Sequence, residues 1–193
     1  MEALRQERDR HHLCDLHGEL SAPRASRRSA SGRDRAAVVM MCGVAGAGKT
    51  TYAQELEQRG YVRLSIDEAV WALIGRDGGR LDPEEYEDHK ARAEEALWQE
   101  LVRLMRAGRS VVLDYSFWRR ATRDRYKSLI ESHGYRWELV YLKADPETLR
   151  RRLAARNALT GPNRVTVSEE LLRSYLAGFE EPVGEGERVI PQE

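Results

Sequence analysis

Cysteine is nearly absent from this chain of 193 residues: Cys14 and Cys42 are the whole complement, too few for a disulfide framework. The pair fits a reduced cytoplasm better than an oxidising compartment. An excess of charge of either sign is also missing. Lys and Arg together number 32, as do Asp and Glu, so no overall field draws the chain to nucleic acid or to an anionic membrane. No apolar run is long enough to span a bilayer, and Met1 to Glu7 lacks the apolar stretch of a signal peptide. Internal repeats are absent as well. What is there is 41% hydrophobic and 33% charged, enough apolar material for one core and enough charge for a soluble surface.

Residues 1–35 differ from the rest and read as an N-terminal extension, with residues 36–193 as one domain. Glu2 to Leu20 has helical character on an uneven face, and Ser21 to Ser29 reads as a flexible link. From Ala36 short apolar runs alternate with amphipathic stretches, the pattern of an α/β fold with a parallel sheet between helices. The strands fall at Ala37–Cys42, Tyr61–Ile66, Ser110–Leu113 and Trp137–Leu142, with a weaker edge strand at Arg188–Ile190. The longest helix is expected over Glu84–Ala107: Ala93, Leu97, Leu101, Leu104 and Met105 recur at helical spacing, Asp82-Pro83-Glu84-Glu85 opens it and Gly108 ends it. Asp145-Pro146 and Ser168-Glu169-Glu170 open two more.

The most informative segment runs Val38-Val39-Met40-Met41-Cys42-Gly43-Val44-Ala45-Gly46-Ala47-Gly48-Lys49-Thr50-Thr51, an apolar strand leading into G-x-x-x-x-G-K-T and then a helix. Gly43, Gly46 and Gly48 let the backbone curl with amides inward, where a β-carbon would hold phosphates away. The helix behind points its positive end at the same place. Lys49 suits the β- and γ-phosphates, the Thr50 hydroxyl suits Mg²⁺, and Thr51 caps the helix or meets the α-phosphate. The predicted cofactors are therefore ATP and Mg²⁺.

In a doubly wound sheet ligands gather at the carboxyl ends of strands, so the polar residues there are the ones to inspect. Leu64-Ser65-Ile66-Asp67-Glu68 closes one strand and Val111-Val112-Leu113-Asp114 another. Asp67 is placed to accept the proton of a hydroxyl acceptor or to hold it in line. Asp114, after a Walker-B-like run, is placed to serve Mg²⁺ beside Thr50 or to meet substrate. Both are also suited to cap a following helix. Ser65, Glu68, Trp71, Tyr115, Phe117 and Trp118 are candidates for the wall of the acceptor pocket, against a plain packing role for most of them. Arg120 and Arg123, with Arg119, offer a grip on substrate or phosphate, against the alternative of a solvated helix face.

Leu149 to Asn157 carries Arg150, Arg151, Arg152 and Arg156 into a stretch, Ala158 to Arg164, that reads as a loop. Arginines on a closing lid offset the charge of phosphoryl transfer. Arg152 and Arg156 share one helix face and form the preferred pair, with Arg164 third. Plain surface charge is the competing reading for each.

In this order the parts resemble the P-loop kinase group that includes the zeta toxins, chloramphenicol phosphotransferase and related AAA-type small-molecule kinases, and more distantly the kinase half of polynucleotide kinase. The resemblance runs from about Ala37 to Pro182. It rests on Gly43–Thr51, Leu64–Asp67, Val111–Arg123, Asp145–Arg156 and Phe179-Glu180-Glu181-Pro182. It implies a P-loop NTPase, nucleoside-kinase-like, whose five-stranded parallel sheet runs 2-3-1-4-5 with helices on both faces. It also implies Asp67 as base and an arginine lid around Arg152 and Arg156.

The leading expectation is thus a phosphotransferase that moves the γ-phosphate of ATP to a hydroxyl of a small molecule. A sugar-nucleotide kinase, a nucleic-acid 5′-end kinase and an ATP-hydrolysing regulatory switch are the alternatives. The first two call for a nucleotide-shaped second pocket or a basic channel, which the balanced charge does not announce, and the third for a partner surface. Oligomeric state is left open. His11, His12, Cys14 and His17 crowd metal-ligand types together with no second cluster to complete a site. Arg24 to Arg35 is basic but interrupted by Asp34 and lacks aromatics for stacking nucleic acid.

Overall fold

The structure, a computed structural model, describes residues 36–74, 83–157 and 167–193. The expectations for Glu2–Leu20, the histidine cluster, Arg24–Arg35 and the boundary at residue 35 lie outside the described residues, as do those for Asp82 and for Ala158 to Arg164.

Among the described residues eleven elements follow one another: β1 (Ala37–Cys42), α1 (Lys49–Gln58), β2 (Val62–Ser65), α2 (Ile66–Ile74), α3 (Pro83–Arg106), β3 (Val111–Asp114), α4 (Arg120–Ser132), β4 (Arg136–Ala144), α5 (Pro146–Asn157), α6 (Glu169–Gly178) and β5 (Glu187–Gln192). The strands form a single parallel sheet in the order β2-β3-β1-β4-β5, as the resemblance implied. Parallel neighbours need helical crossovers, and those crossovers cover both faces of the sheet.

The central strand shows why the sequence reads as a continuous apolar run. Val38, Met40 and Cys42 of β1 join Val111 and Leu113 of β3 and Leu139 and Tyr141 of β4 on one face, where Leu101, Leu104 and Met105 of α3 and Tyr126 and Ile130 of α4 close over them. Val39, Met41, Val112, Val140 and Leu142 face the other way, under Ala53 and Leu56 of α1, Leu149 and Leu153 of α5 and Leu172 of α6. Alternate residues thus serve two cores. Cys42 belongs to the first, and burial pushes its thiol up to about 11, well away from reactive thiolate chemistry.

Strand and helix limits move only at their ends. β4 extends to Ala144 and β5 to Gln192, because main-chain pairing between the two continues past the apolar residues to Lys143↔Pro191 and Ala144↔Gln192. Pro191 is tolerated there because β5 is an edge strand. β3 takes in Asp114, which pairs with Ser65 in the register with β2. Asp145 caps α5 with one oxygen accepting from the amides of Glu147 and Thr148 at 2.9 and 3.0 Å, and Ser168 caps α6 through the Leu171 amide at 3.2 Å.

Candidate active site

The loop between β1 and α1 is fixed by close backbone approach. Gly43 has φ +143°, and a β-carbon there would sit 2.8 Å from the Leu142 carbonyl oxygen; Gly46, at φ +88°, is packed against Leu153. Gly48 occupies the cap of α1 in the left-handed region, which turns the chain sharply into the helix. The first-turn amides of α1, from Lys49 on, have no intrahelical carbonyl to bond and face the end of the cleft. One detail departs from the expectation that all three glycines turn their amides inward: the Gly43 N–H donates to the Ser116 carbonyl at 3.2 Å and so anchors the loop to the segment after β3.

A cavity of about 540 Å³ opens over this loop and is lined by Ala45, Gly46, Gly48, Lys49, Thr50 and Thr51 from the motif. Gly43, Val44 and Ala47 lie buried behind that surface. Lys49 Nζ donates to the Val44 carbonyl at 3.1 Å across the loop. Burial lowers the Lys49 ammonium from its ordinary range, while Asp114 and Asp67 pull it back up. Thr50 Oγ1 donates to Asp114 Oδ1 at 3.4 Å, so a hydroxyl and a carboxylate stand together beside the loop. That is a donor set for a hard cation such as Mg²⁺. Among the described residues no three His, Cys, Asp or Glu side chains gather as a metal cage. The cradle, the buried ammonium and the oxygen pair all fit a magnesium–triphosphate group.

Asp67 stands on the wall shared by this cavity and a second one of about 610 Å³. The helix-cap reading of Asp67 does not describe its position: α2 begins at Ile66, and it is Ser65 whose hydroxyl accepts the Glu68 amide, at 3.4 Å. The Asp67 carboxylate opens to solvent within the cleft, yet the protein packed around it raises its pKa from the usual carboxylate value, with Lys49 and Arg156 pulling the other way. The second cavity is bounded by Tyr115, Phe117 and Trp118 after β3, by Glu87, Lys90 and Glu94 of α3, and by Tyr175 of α6, whose ring meets Trp118 edge-on at 4.8 Å. Sequence reading named the three aromatics after β3 but missed the α3 side chains and Tyr175, which look like ordinary surface positions of amphipathic helices.

Asp114, at the end of β3, caps no helix, because α4 starts at Arg120. Its carboxyl is buried and pushed up by that burial, with Lys49 and then Arg63 opposing. Arg63 was not expected at the site; NH1 donates to Asp114 Oδ2 at 2.8 Å. Arg152 and Arg156 both line the first cavity, and Arg156 also borders the second. Arg152 NH1 faces the carbonyl oxygens of Gly46 and Ala47 at 3.5 and 3.4 Å.

Ser65, Glu68, Trp71, Arg120 and Arg123, all expected at the acceptor, line neither cavity. Arg123 is wholly buried, and its guanidinium is held by Glu185 and by the carbonyls of Phe117, Trp118 and Glu180 at 2.9 to 3.2 Å. With its donors engaged, it reaches the pocket through the main chain of Phe117 and Trp118, and it holds Phe117 in a left-handed conformation (φ 43°) that costs a non-glycine residue about 1–3 kcal/mol. Arg120 is exposed and pairs with Asp124 at 3.7 Å. Trp71 sits half-buried on α2, which packs against α3. Arg164 lies outside the described residues.

A family model described as AAA domain (AAA_33) matches residues 38–182, about the span the resemblance predicted. The chain belongs to this AAA-domain family. A curated relative, the UPF0200 protein PAE1629 of Pyrobaculum aerophilum, is 34% identical over 77 residues, covering 40% of this chain and 44% of the relative, so the match spans less than half of either protein. Among solved structures, a sugar kinase from Janibacter superposes with a TM-score of 0.57 at 20% identity, over 81% of this chain and 85% of that one. A gluconokinase from Sinorhizobium meliloti gives 0.56 at 22%, over 81% and 82%. The APS kinase of Mycobacterium tuberculosis, solved with AMPPNP and APS, gives 0.52 at 16%, over 81% and 88%. At such identities the likeness is one of fold: this member of the AAA-domain family is built as a P-loop NTPase.

Proposed function

We propose that this chain is an ATP- and Mg²⁺-dependent phosphotransferase acting on a hydroxyl of a small molecule, with Asp67 as the base. The observation that carries the reading is the position of Asp67 on the wall common to two cavities, one over the phosphate loop and one lined by aromatic and polar side chains. Three of the folds it resembles belong to proteins named as kinases of small molecules. Bound ATP supplies the transferable γ-phosphoryl group, and Mg²⁺ supplies positive charge to the phosphates.

The protein's part is mostly placement and electrostatics. The glycine loop and α1 amides hold the phosphate chain. Lys49, Arg152 and Arg156 offset the charge that spreads over the γ-oxygens, and Thr50 with Asp114 hold Mg²⁺. Asp67 orients the acceptor hydroxyl and takes its proton as the acceptor oxygen bonds to the γ-phosphorus and the bond to the β,γ-bridging oxygen breaks. A raised carboxyl pKa suits that role, since it makes the ionised carboxylate a stronger base.

The test is Asp67→Asn. Binding of Mg·ATP is expected to persist, while acceptor-dependent ADP release, followed over a panel of hydroxylated small molecules, falls by about 10² to 10⁴-fold. Transfer near the parental rate removes Asp67 from the base role.

A further inference from the structure

Arg63 leaves the middle of β2 with only 8% of its side chain exposed, and its guanidinium reaches three carboxylates. NH1 donates to Asp114 Oδ2 at 2.8 Å, where the Asp114 side chain is 3% exposed. NH2 is paired with Glu68, and Nε faces Glu57 at 3.4 Å. The Glu57 and Glu68 side chains are 51% and 42% exposed, so the Asp114 contact is the one made out of solvent, while the Glu68 contact ties the fork to the first turn of α2. Arg63 pairs with Val112 and Ser65 with Asp114 in the parallel register, so the arginine reaches two residues along the sheet to the end of β3.

Both oxygens of Asp114 are thereby assigned. Oδ2 belongs to Arg63, and Oδ1 is left facing the Thr50 hydroxyl at 3.4 Å. A carboxylate that serves a metal is held in orientation by a partner on its other oxygen, and such partners matter almost as much as the ligand. On the other side of the fork, Glu68 is the neighbour of Asp67 in the first turn of α2. A planar guanidinium holds two carboxylates on separate nitrogens at fixed spacing, which an ammonium cannot do.

We propose that Arg63 is a positioning residue for the magnesium–nucleotide site: it turns one oxygen of Asp114 toward Thr50 and, through Glu68, fixes the turn that carries Asp67 relative to it. The inference rests on the reading of Thr50 and Asp114 as the Mg²⁺ side of the site. It differs from a purely stabilising ion pair in what its loss affects. A stabilising pair changes the melting temperature alone, whereas a positioning residue changes the extra affinity that a divalent cation lends to the nucleotide.

The experiment uses the full chain and its Arg63→Gln and Arg63→Lys variants, with AMPPNP titrated calorimetrically in EDTA and again with Mn²⁺, and bound Mn²⁺ counted by electron paramagnetic resonance. Affinity in EDTA is expected to stay within about twofold, because Lys49 and the loop amides are untouched. The gain from Mn²⁺ is expected to shrink by about tenfold or more in Arg63→Gln and by less in Arg63→Lys, which keeps the charge but not the fork. If Arg63→Gln does not fold, Arg63→Lys decides alone, since it leaves no buried carboxylate without a cation. A gain from Mn²⁺ equal to that of the parent, in whichever variant folds, overturns the positioning role while leaving the nucleotide reading intact. A parent protein that binds AMPPNP in EDTA but gains nothing from Mn²⁺ overturns the reading of Thr50 and Asp114 as the metal side together with this inference, and one that binds no AMPPNP in either buffer overturns the nucleotide reading.

Discussion

Thr50 and Asp114 meet at 3.4 Å although 64 residues separate them in the sequence. The contact exists because β1 and β3 are parallel neighbours, which brings the loop after one strand beside the last residue of the other. Substitutions on the two sides of this pair therefore act on different parts of nucleotide affinity. Lys49→Ala is expected to weaken AMPPNP binding both in EDTA and with Mg²⁺, because the proposed function has its ammonium meet phosphate without the metal. Thr50→Val, which keeps shape and removes the hydroxyl, is expected to leave the EDTA value nearly unchanged and to reduce only the Mg²⁺-dependent gain. Calorimetry in the two buffers distinguishes them.

The pH dependence of transfer follows from Asp67. The protein packed around the cleft partly desolvates Asp67 and raises its pKa above the ordinary value of 3.8, and Lys49 and then Arg156 oppose the rise. In the proposed mechanism the ionised form is the base, so activity is expected to be lost as pH falls through a value above 3.8. Removing a neighbouring cation in Arg156→Met raises the Asp67 pKa further. The acid limb of the kcat/KM profile is then expected to move to higher pH than in the parent, in addition to a fall in the plateau. A limb that stays in place separates Arg156 from Asp67.

Stability depends on a pair remote from the chemistry. Arg123 and Glu185 are both buried, and the Arg123 guanidinium also holds the strained Phe117 turn. Arg123→Met leaves the buried Glu185 carboxylate with Lys127, at 3.4 Å, as its remaining cation and is expected to cost about 3 kcal/mol in urea unfolding, the low end for breaking a buried pair. Hydrogen bonding from Arg123 depresses the Glu185 carboxyl below 4.5. A depressed carboxylate contributes stability above its unfolded value and loses it as pH falls through the lower folded one. Glu185→Gln is therefore expected to lower stability at neutral pH and to flatten the acid limb below about pH 4.5.

Gly43→Ala tests the loop itself. A methyl group would stand 2.8 Å from the Leu142 carbonyl, in a backbone conformation that alanine rarely adopts. A loss of about 1–3 kcal/mol in unfolding free energy is expected, with nucleotide binding lost more steeply, since the loop moves to relieve the contact.

Much of this was legible in the chain. The continuous apolar run of β1 followed by the glycine loop and Lys49-Thr50 specifies a strand, a tight turn and a helix by local rules alone, and Asp67 and Asp114 stand at strand ends where such sheets bind ligands. Three things were not legible. Arg63 looks like an outward-facing strand residue, and only the register between β2 and β3 shows that it runs back to Asp114. Arg123 looks like one of three exposed arginines at a helix start; its burial depends on Glu185, 62 residues away, arriving to compensate it. Glu87, Lys90, Glu94 and Tyr175 face the second cavity because of how α3 and α6 lie against the sheet, and helical periodicity fixes a face without saying what it looks upon.

The central claim is that the turn from Gly43 to Thr51 recognises a triphosphate. Titrating Mg·AMPPNP into folded protein, with inorganic triphosphate as competitor, tests it most directly. One nucleotide per chain, displaced by inorganic triphosphate and lost in Lys49→Ala, is the predicted result; no heat of association from correctly folded protein contradicts it.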